Sequence, residues 1–102
     1  MYEYKATPLH VVDGDTIDVT VDLGFDISTV MRLRLPGIDI AERFTDPGRE
    51  ATAFVKELIA GTTGVIRSTK DKEKYGRYLS DYYFNDTSLV FELFKHPEFL
   101  KN

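Results

Sequence analysis

Residues 16 to 23 read Thr-Ile-Asp-Val-Thr-Val-Asp-Leu, apolar and polar side chains in strict alternation. A period of two fits a strand with one dry face and one wet face, so this stretch commits the chain to a sheet packed on one side. Tyr2 to Val12, rich in β-branched and aromatic residues, reaches it across Asp13-Gly14-Asp15, and Asp-Gly is a strong hairpin signal. Gly24-Phe25-Asp26 turns the chain again, into Ile27 to Leu35. There Met31, Leu33 and Leu35 face one way while Arg32 and Arg34 face the other, and Pro36-Gly37 ends the strand.

The period then changes. Ala51, Phe54, Val55, Leu58 and Ile59 form one apolar stripe at helical spacing. Asp46 is the expected N-cap with Pro47 in the first helical position, and Gly61 the expected stop. Val65 to Lys70 and Tyr78 to Phe84 read as two more strands, separated by the charged segment 70–77. Asn85-Asp86-Thr87 forms a turn and cap before a short helix, about Ser88 to Lys95, which Pro97 ends. The fold class this predicts is mainly β with helices (α+β). Five short strands cannot bury two sheets, but they can curl into one small barrel plugged by a helix. The expected architecture is a five-stranded OB-fold barrel with one helix between strands 3 and 4 and a short C-terminal helix. At 102 residues, positions 1–102 make a single domain.

The net charge is −4, from 13 basic and 17 acidic residues, which argues against binding nucleic acid by bulk charge and leaves room for a local basic patch. Cysteine is absent, which removes disulfides, thiolate metal sites and thiol nucleophiles. His10 and His96 are too far apart in sequence to suggest a zinc site. No apolar run is long enough to span a bilayer, and the N-terminus lacks the pattern of a signal peptide. These features lead to the expectation of an intracellular, cytoplasmic domain with no membrane partner.

Chemistry gathers in four carboxylates. Asp13 and Asp15 share one turn, and Asp39 and Glu42 follow the third strand, so one barrel rim can bring them together. Converging carboxylates repel and raise one another's pKa values unless a cation relieves them, and oxygen-only ligation suits calcium or magnesium. Asp-Gly-Asp alone is an ordinary turn, and an arginine alone is an ordinary surface ion pair. Together with Arg34 on the polar face of strand three and Arg77 after Tyr75-Gly76, they become a set for phosphodiester hydrolysis. Guanidinium groups pair bidentately with phosphate oxygens, a metal stabilises the charge that develops, and a carboxylate directs water.

Three ordered stretches carry a resemblance. Val12-Asp13-Gly14-Asp15-Thr16, Arg34-Leu35-Pro36-Gly37-Ile38-Asp39-Ile40-Ala41-Glu42 and Lys74-Tyr75-Gly76-Arg77 resemble the staphylococcal nuclease (thermonuclease) family, whose pattern is V-D-G-D-T, R-L-x-G-I-D-x-P-E and K-Y-G-R. Gly48-Arg49-Glu50-Ala51 also looks like the start of that family's first helix. The resemblance implies an OB barrel and calcium-dependent cleavage of DNA and RNA, with single strands preferred. By position it implies that Asp15, Asp39 and the carbonyl of Ile40 ligate Ca2+, with Asp13 just outside the ligand set. It gives Glu42 the attacking water, Arg34 and Arg77 the scissile phosphate, and Lys74 and Tyr75 a terminal phosphate. Ile40 stands where the family has threonine and Ala41 where it has proline, so a hydroxyl contact and a φ restraint are both absent.

A second class of function competes with the nuclease. An OB module binding single-stranded nucleic acid or a protein could use Tyr82, Tyr83 and Phe84 as a stacking platform, although such a strand also suits core plus rim. The C-terminal apolar set, Leu89, Val90, Phe91, Leu93, Phe94, Phe99 and Leu100, either covers the barrel's open side or forms a patch for self-association or protein docking.

Overall fold

A computed structural model describes residues 2–68 and 78–101 of the chain. The predicted β-meander forms its centre: β1 (Tyr2–Asp13), β2 (Thr16–Gly24) and β3 (Ile27–Arg34) pair antiparallel in sequence order. Ile17, Val19 and Val21 are wholly buried, while Asp18 and Thr20 between them stay partly exposed, as the alternation requires. Leu23 departs from that pattern. It is exposed because β2 and β3 run on past the core into a projecting hairpin.

α1 (Asp46–Ile59) follows the third strand. Ala51, Val55 and Ile59 are buried and Phe54 and Leu58 partly so, which is the predicted stripe. Burying each large aliphatic side chain contributes about 1.5–3 kcal/mol, enough to dock the helix firmly. The cap is one residue earlier than expected. Thr45, not Asp46, is the N-cap, its hydroxyl accepting the Gly48 N–H at 3.2 Å. Asp46 instead lies in the first turn and pairs with Arg49.

The remaining strands are β4 (Gly64–Ser68), β5 (Tyr78–Leu79), β6 (Tyr82–Phe84) and β7 (Thr87–Ser88), followed by α2 (Leu89–Phe94) and a 3-10 turn at Pro97–Phe99. Ser88, rather than the turn at 85–87, caps α2. The chain is therefore a mixed α+β domain in which one seven-stranded sheet runs in the order β5-β3-β2-β1-β4-β6-β7. A continuous ring of five strands is not what the pairing gives.

The difference lies in the expected strand Tyr78 to Phe84, which breaks at Ser80-Asp81. β5 pairs in parallel with β3, and β6 antiparallel with β4, so the two halves of one segment serve opposite sides of the sheet. The Asp81 carboxylate causes the break by accepting the N–H groups of Tyr82 and Val90, at 2.8 and 3.1 Å. Buried Ser80 spans the gap: its N–H donates to the Arg34 carbonyl at 3.3 Å, and its Oγ accepts from the Arg67 N–H at 3.2 Å.

Tyr82 and Phe84 are buried, their rings stacked 5.3 Å apart, and the Tyr82 hydroxyl bonds that of Thr62 at 2.8 Å. These two rings belong to the core and offer no stacking platform. Leu89, Leu93 and Phe99 also enter the core, whereas Phe91 and Phe94 remain exposed. None of the described helices is long and apolar enough to cross a membrane.

Candidate active site

The turn between β1 and β2 is built around its own acids. Asp13 Oδ1 accepts the Asp15 N–H at 3.2 Å, and the Asp15 carbonyl accepts the Leu35 N–H at 2.9 Å, fixing the turn to the end of β3. Between the two acids, Gly14 lies against the loop after β3. A Cβ there would stand 2.5 Å from Ile40 Cγ2 and 3.0 Å from Ala51 Cβ, so any side chain would push the two halves of the site apart.

Asp15 is the pivot. It is 8% exposed, and its Oδ2 accepts the Ile40 N–H at 2.9 Å. Burial, reinforced by the Asp13 carboxylate beside it, pushes its pKa up to about 6 against the partial relief given by Ile40 and Arg34. Arg34 rests on this carboxylate with Nη2 3.4 Å from Asp15 Oδ2 and 2.6 Å from Asp39 Oδ1. Its Nη1 donates to the carbonyls of Leu35 and Ile38, at 2.5 and 2.8 Å. Nη1 is thus an anchor, and Nη2 is the edge turned toward exposed Asp39.

Glu42 follows a different geometry. Its Oε1 lies 2.8 Å from Lys101 Nζ, with both side chains about half exposed. Its backbone is held more tightly, because its carbonyl accepts both the Thr45 N–H at 2.9 Å and the Thr45 hydroxyl at 2.6 Å. Gly48 packs directly on this carbonyl, where a Cβ would overlap it. The cap of α1 and the placing of Glu42 are one structure.

Asp15, Arg34, Asp39 and Ile40 are therefore brought together, and Asp13 supports them from the turn. Of the four carboxylates expected to converge, Asp13 lies beside Asp15 and Asp39 shares Arg34 Nη2 with it, while Glu42 turns to Lys101. Among the described residues no three His, Asp or Glu side chains gather as a metal set. Asp13 is spent on its turn, and Glu42 is drawn toward Lys101. Arg77, Lys74 and Tyr75 lie outside the described residues.

The chain is similar to proteins named as endonucleases. An "uncharacterized endonuclease" of Escherichia coli O157:H7 is 37% identical over 78 residues, which is 76% of this chain and 47% of that protein. Its counterpart in Escherichia coli matches to the same extent. The protein ParB of Escherichia coli is 33% identical over 86 residues, 81% of this chain and 44% of its own length. The chain thus spans about half the length of these relatives. No protein-family model matches it.

Sequence reasoning missed the residues that close the site from the far end of the chain. Ile40 forms an antiparallel bridge with Leu100. It is flanked by bonds from Ala41 N–H to the Phe99 carbonyl and from Lys101 N–H to the Asp39 carbonyl, both 2.9 Å. Lys101 then reaches Glu42, and its pKa is raised by that bond, with smaller contributions from the charges of Asp39 and Asp15. No local pattern signals this pairing, since Lys101 and Glu42 are 59 positions apart.

Burial of Asp15 has a consequence for pH. Its pKa is raised from 3.8 to about 6 in the folded chain, so the native state holds a proton that the unfolded chain has lost. In metal-free protein this contribution to stability is fully present below pH 3.8 and is lost as pH rises through about 6. Denaturant titrations of wild type and Asp15→Asn in chelator check it. The wild type should lose stability relative to the variant between pH 4 and 7, and parallel profiles would remove the effect from Asp15.

Proposed function

We propose that this chain is a calcium-dependent nuclease domain that hydrolyses phosphodiester bonds of DNA or RNA, with single strands preferred, on an OB-type scaffold. The observation that carries the reading is the placement of Arg34, anchored by Nη1 and presenting Nη2 between Asp15 and Asp39. The names of the relatives and the motif resemblance support the same class of chemistry.

The donor chemistry fits the implied cation. Two carboxylates share one guanidinium nitrogen, and the buried one is strained toward its neutral form, which is the imbalance a hard divalent ion relieves. Asp15, Asp39 and the Ile40 carbonyl would hold Ca2+, which supplies positive charge against the negative charge that develops on the phosphate oxygens. Arg34 contributes a fixed guanidinium edge for one phosphate oxygen. Glu42 orients or deprotonates water. Releasing Lys101 for that purpose costs little, since an exposed ion pair contributes about 0–1 kcal/mol. Arg77 on the phosphate, and Lys74 and Tyr75 on a terminal phosphate, follow from the resemblance alone.

The test is cleavage of labelled single-stranded DNA and of RNA with calcium or with chelator, comparing wild type with Asp39→Ala. Asp39 is exposed, so its loss spares the core. Calcium-dependent cleavage that disappears in the variant is the expected result. Binding of the strand without cleavage would make the chain a binding module instead.

A further inference from the structure

Beside the site, between β1 and α1, runs a groove of about 430 Å³ whose charged lining is entirely basic, Arg43 from the loop and Arg49 and Lys56 from the helix, with His10 from the strand beside them. In a chain of net charge −4 this is a local reversal of sign. Arg49 is partly spent, since it pairs with Asp46 and donates to the Phe44 carbonyl at 2.7 Å. Arg43 and Lys56 are exposed, and among the described residues neither makes an ion pair.

The residue that follows Arg43 of the groove is aromatic. Phe44 is 74% exposed. Arg49 holds its backbone, and Arg43 precedes it in the loop that begins at Glu42. Cations that follow a phosphate backbone, with an exposed ring beside them, are the two parts from which sequence-tolerant single-strand sites are made. Each base offers a π-face, and each phosphate releases counterions when neutralised.

We infer that this groove is a second binding site for single-stranded nucleic acid, in which Arg43 and Lys56 hold phosphates and Phe44 stacks on an unpaired base. It rests on the nuclease reading in that the same strand would continue from Arg34 past Glu42 into the groove. The site supplies locally the attraction that the acidic chain lacks overall, and it makes affinity depend on substrate length.

Fluorescence anisotropy in chelator tests it with a 12-nucleotide and a 3-nucleotide DNA single strand and with a 12-base-pair duplex. Arg43→Ser/Lys56→Glu should weaken the 12-mer at least tenfold. It should also flatten the slope of log affinity against log salt by about 1.4, at roughly 0.7 per phosphate contact on single strands. Phe44→Ala should weaken the single strand roughly tenfold or more, as loss of one base–aromatic stack does, and leave the duplex unchanged. Affinity for the trinucleotide, and its cleavage in calcium, should stay at the wild-type level in both variants. Wild-type binding of the 12-mer by both variants, or no binding of it by wild type, overturns the proposal. If wild type cleaves neither DNA yet loses 12-mer binding on substitution of the groove, the groove stands and the nuclease reading falls.

Discussion

Arg34→Met is expected to cost about 3 kcal/mol of folding stability at neutral pH, the size seen when one partner of a buried ion pair is removed. The side chain is only 15% exposed, and it serves two carbonyls and two carboxylates at once. Methionine fills similar space but leaves Asp15 buried without its cation, which pushes its carboxyl further toward the neutral form, and it strips a donor from Leu35 and Ile38. Against a total stability of about 5–15 kcal/mol for a domain of this kind, that is a large fraction. The double variant Arg34→Met/Asp15→Asn should be more stable than the sum of the single effects, because it also removes the buried carboxyl left without its cation. Urea titrations of the four proteins measure the coupling. A cost for Arg34→Met below 1 kcal/mol would show that the guanidinium does not support the site.

Glu42→Gln is expected to lower turnover by 10²–10⁴-fold, the usual contribution of a positioned base, while leaving affinity for nucleic acid nearly unchanged. Glutamine keeps the length and polarity of glutamate but cannot take a proton. Folding should be unaffected within about 0.5 kcal/mol, because Glu42 and Lys101 are both half exposed. Steady-state cleavage and equilibrium binding, measured side by side, separate the two effects. Wild-type turnover in the variant would take the water-directing role away from Glu42.

What could be read directly from the residues were features governed by neighbours a few positions away. The alternation from Ile17 to Val21, the stripe from Ala51 to Ile59 and the Asp13-Gly14-Asp15 turn are fixed by strand and helix periods and by local bonding, and they place Asp15 and Arg34. Leu23 looked like core because a period says which face a residue takes but not where the core beneath it stops. Thr45 and Asp46 are both competent caps, and the choice fell to Thr45 because Gly48 lets the helix start close on the Glu42 carbonyl. The interruption at Ser80-Asp81 depends on Asp81 capturing two backbone N–H groups, one of them nine residues away. Lys101 and the groove cations arise from tertiary placement alone.

The bridge between Ile40 and Leu100 has a temporal side. Chains are made from the N-terminus, so Asp15, Arg34 and Glu42 all leave the ribosome long before Phe99, Leu100 and Lys101. During that interval the loop at 39–42 lacks its backbone partners, and Glu42 lacks the cation that positions it at rest. The loop that carries Asp39, Ile40 and Glu42 is thus fastened only once residues 99–101 have emerged and paired with it, so the site is among the last parts of this domain to set.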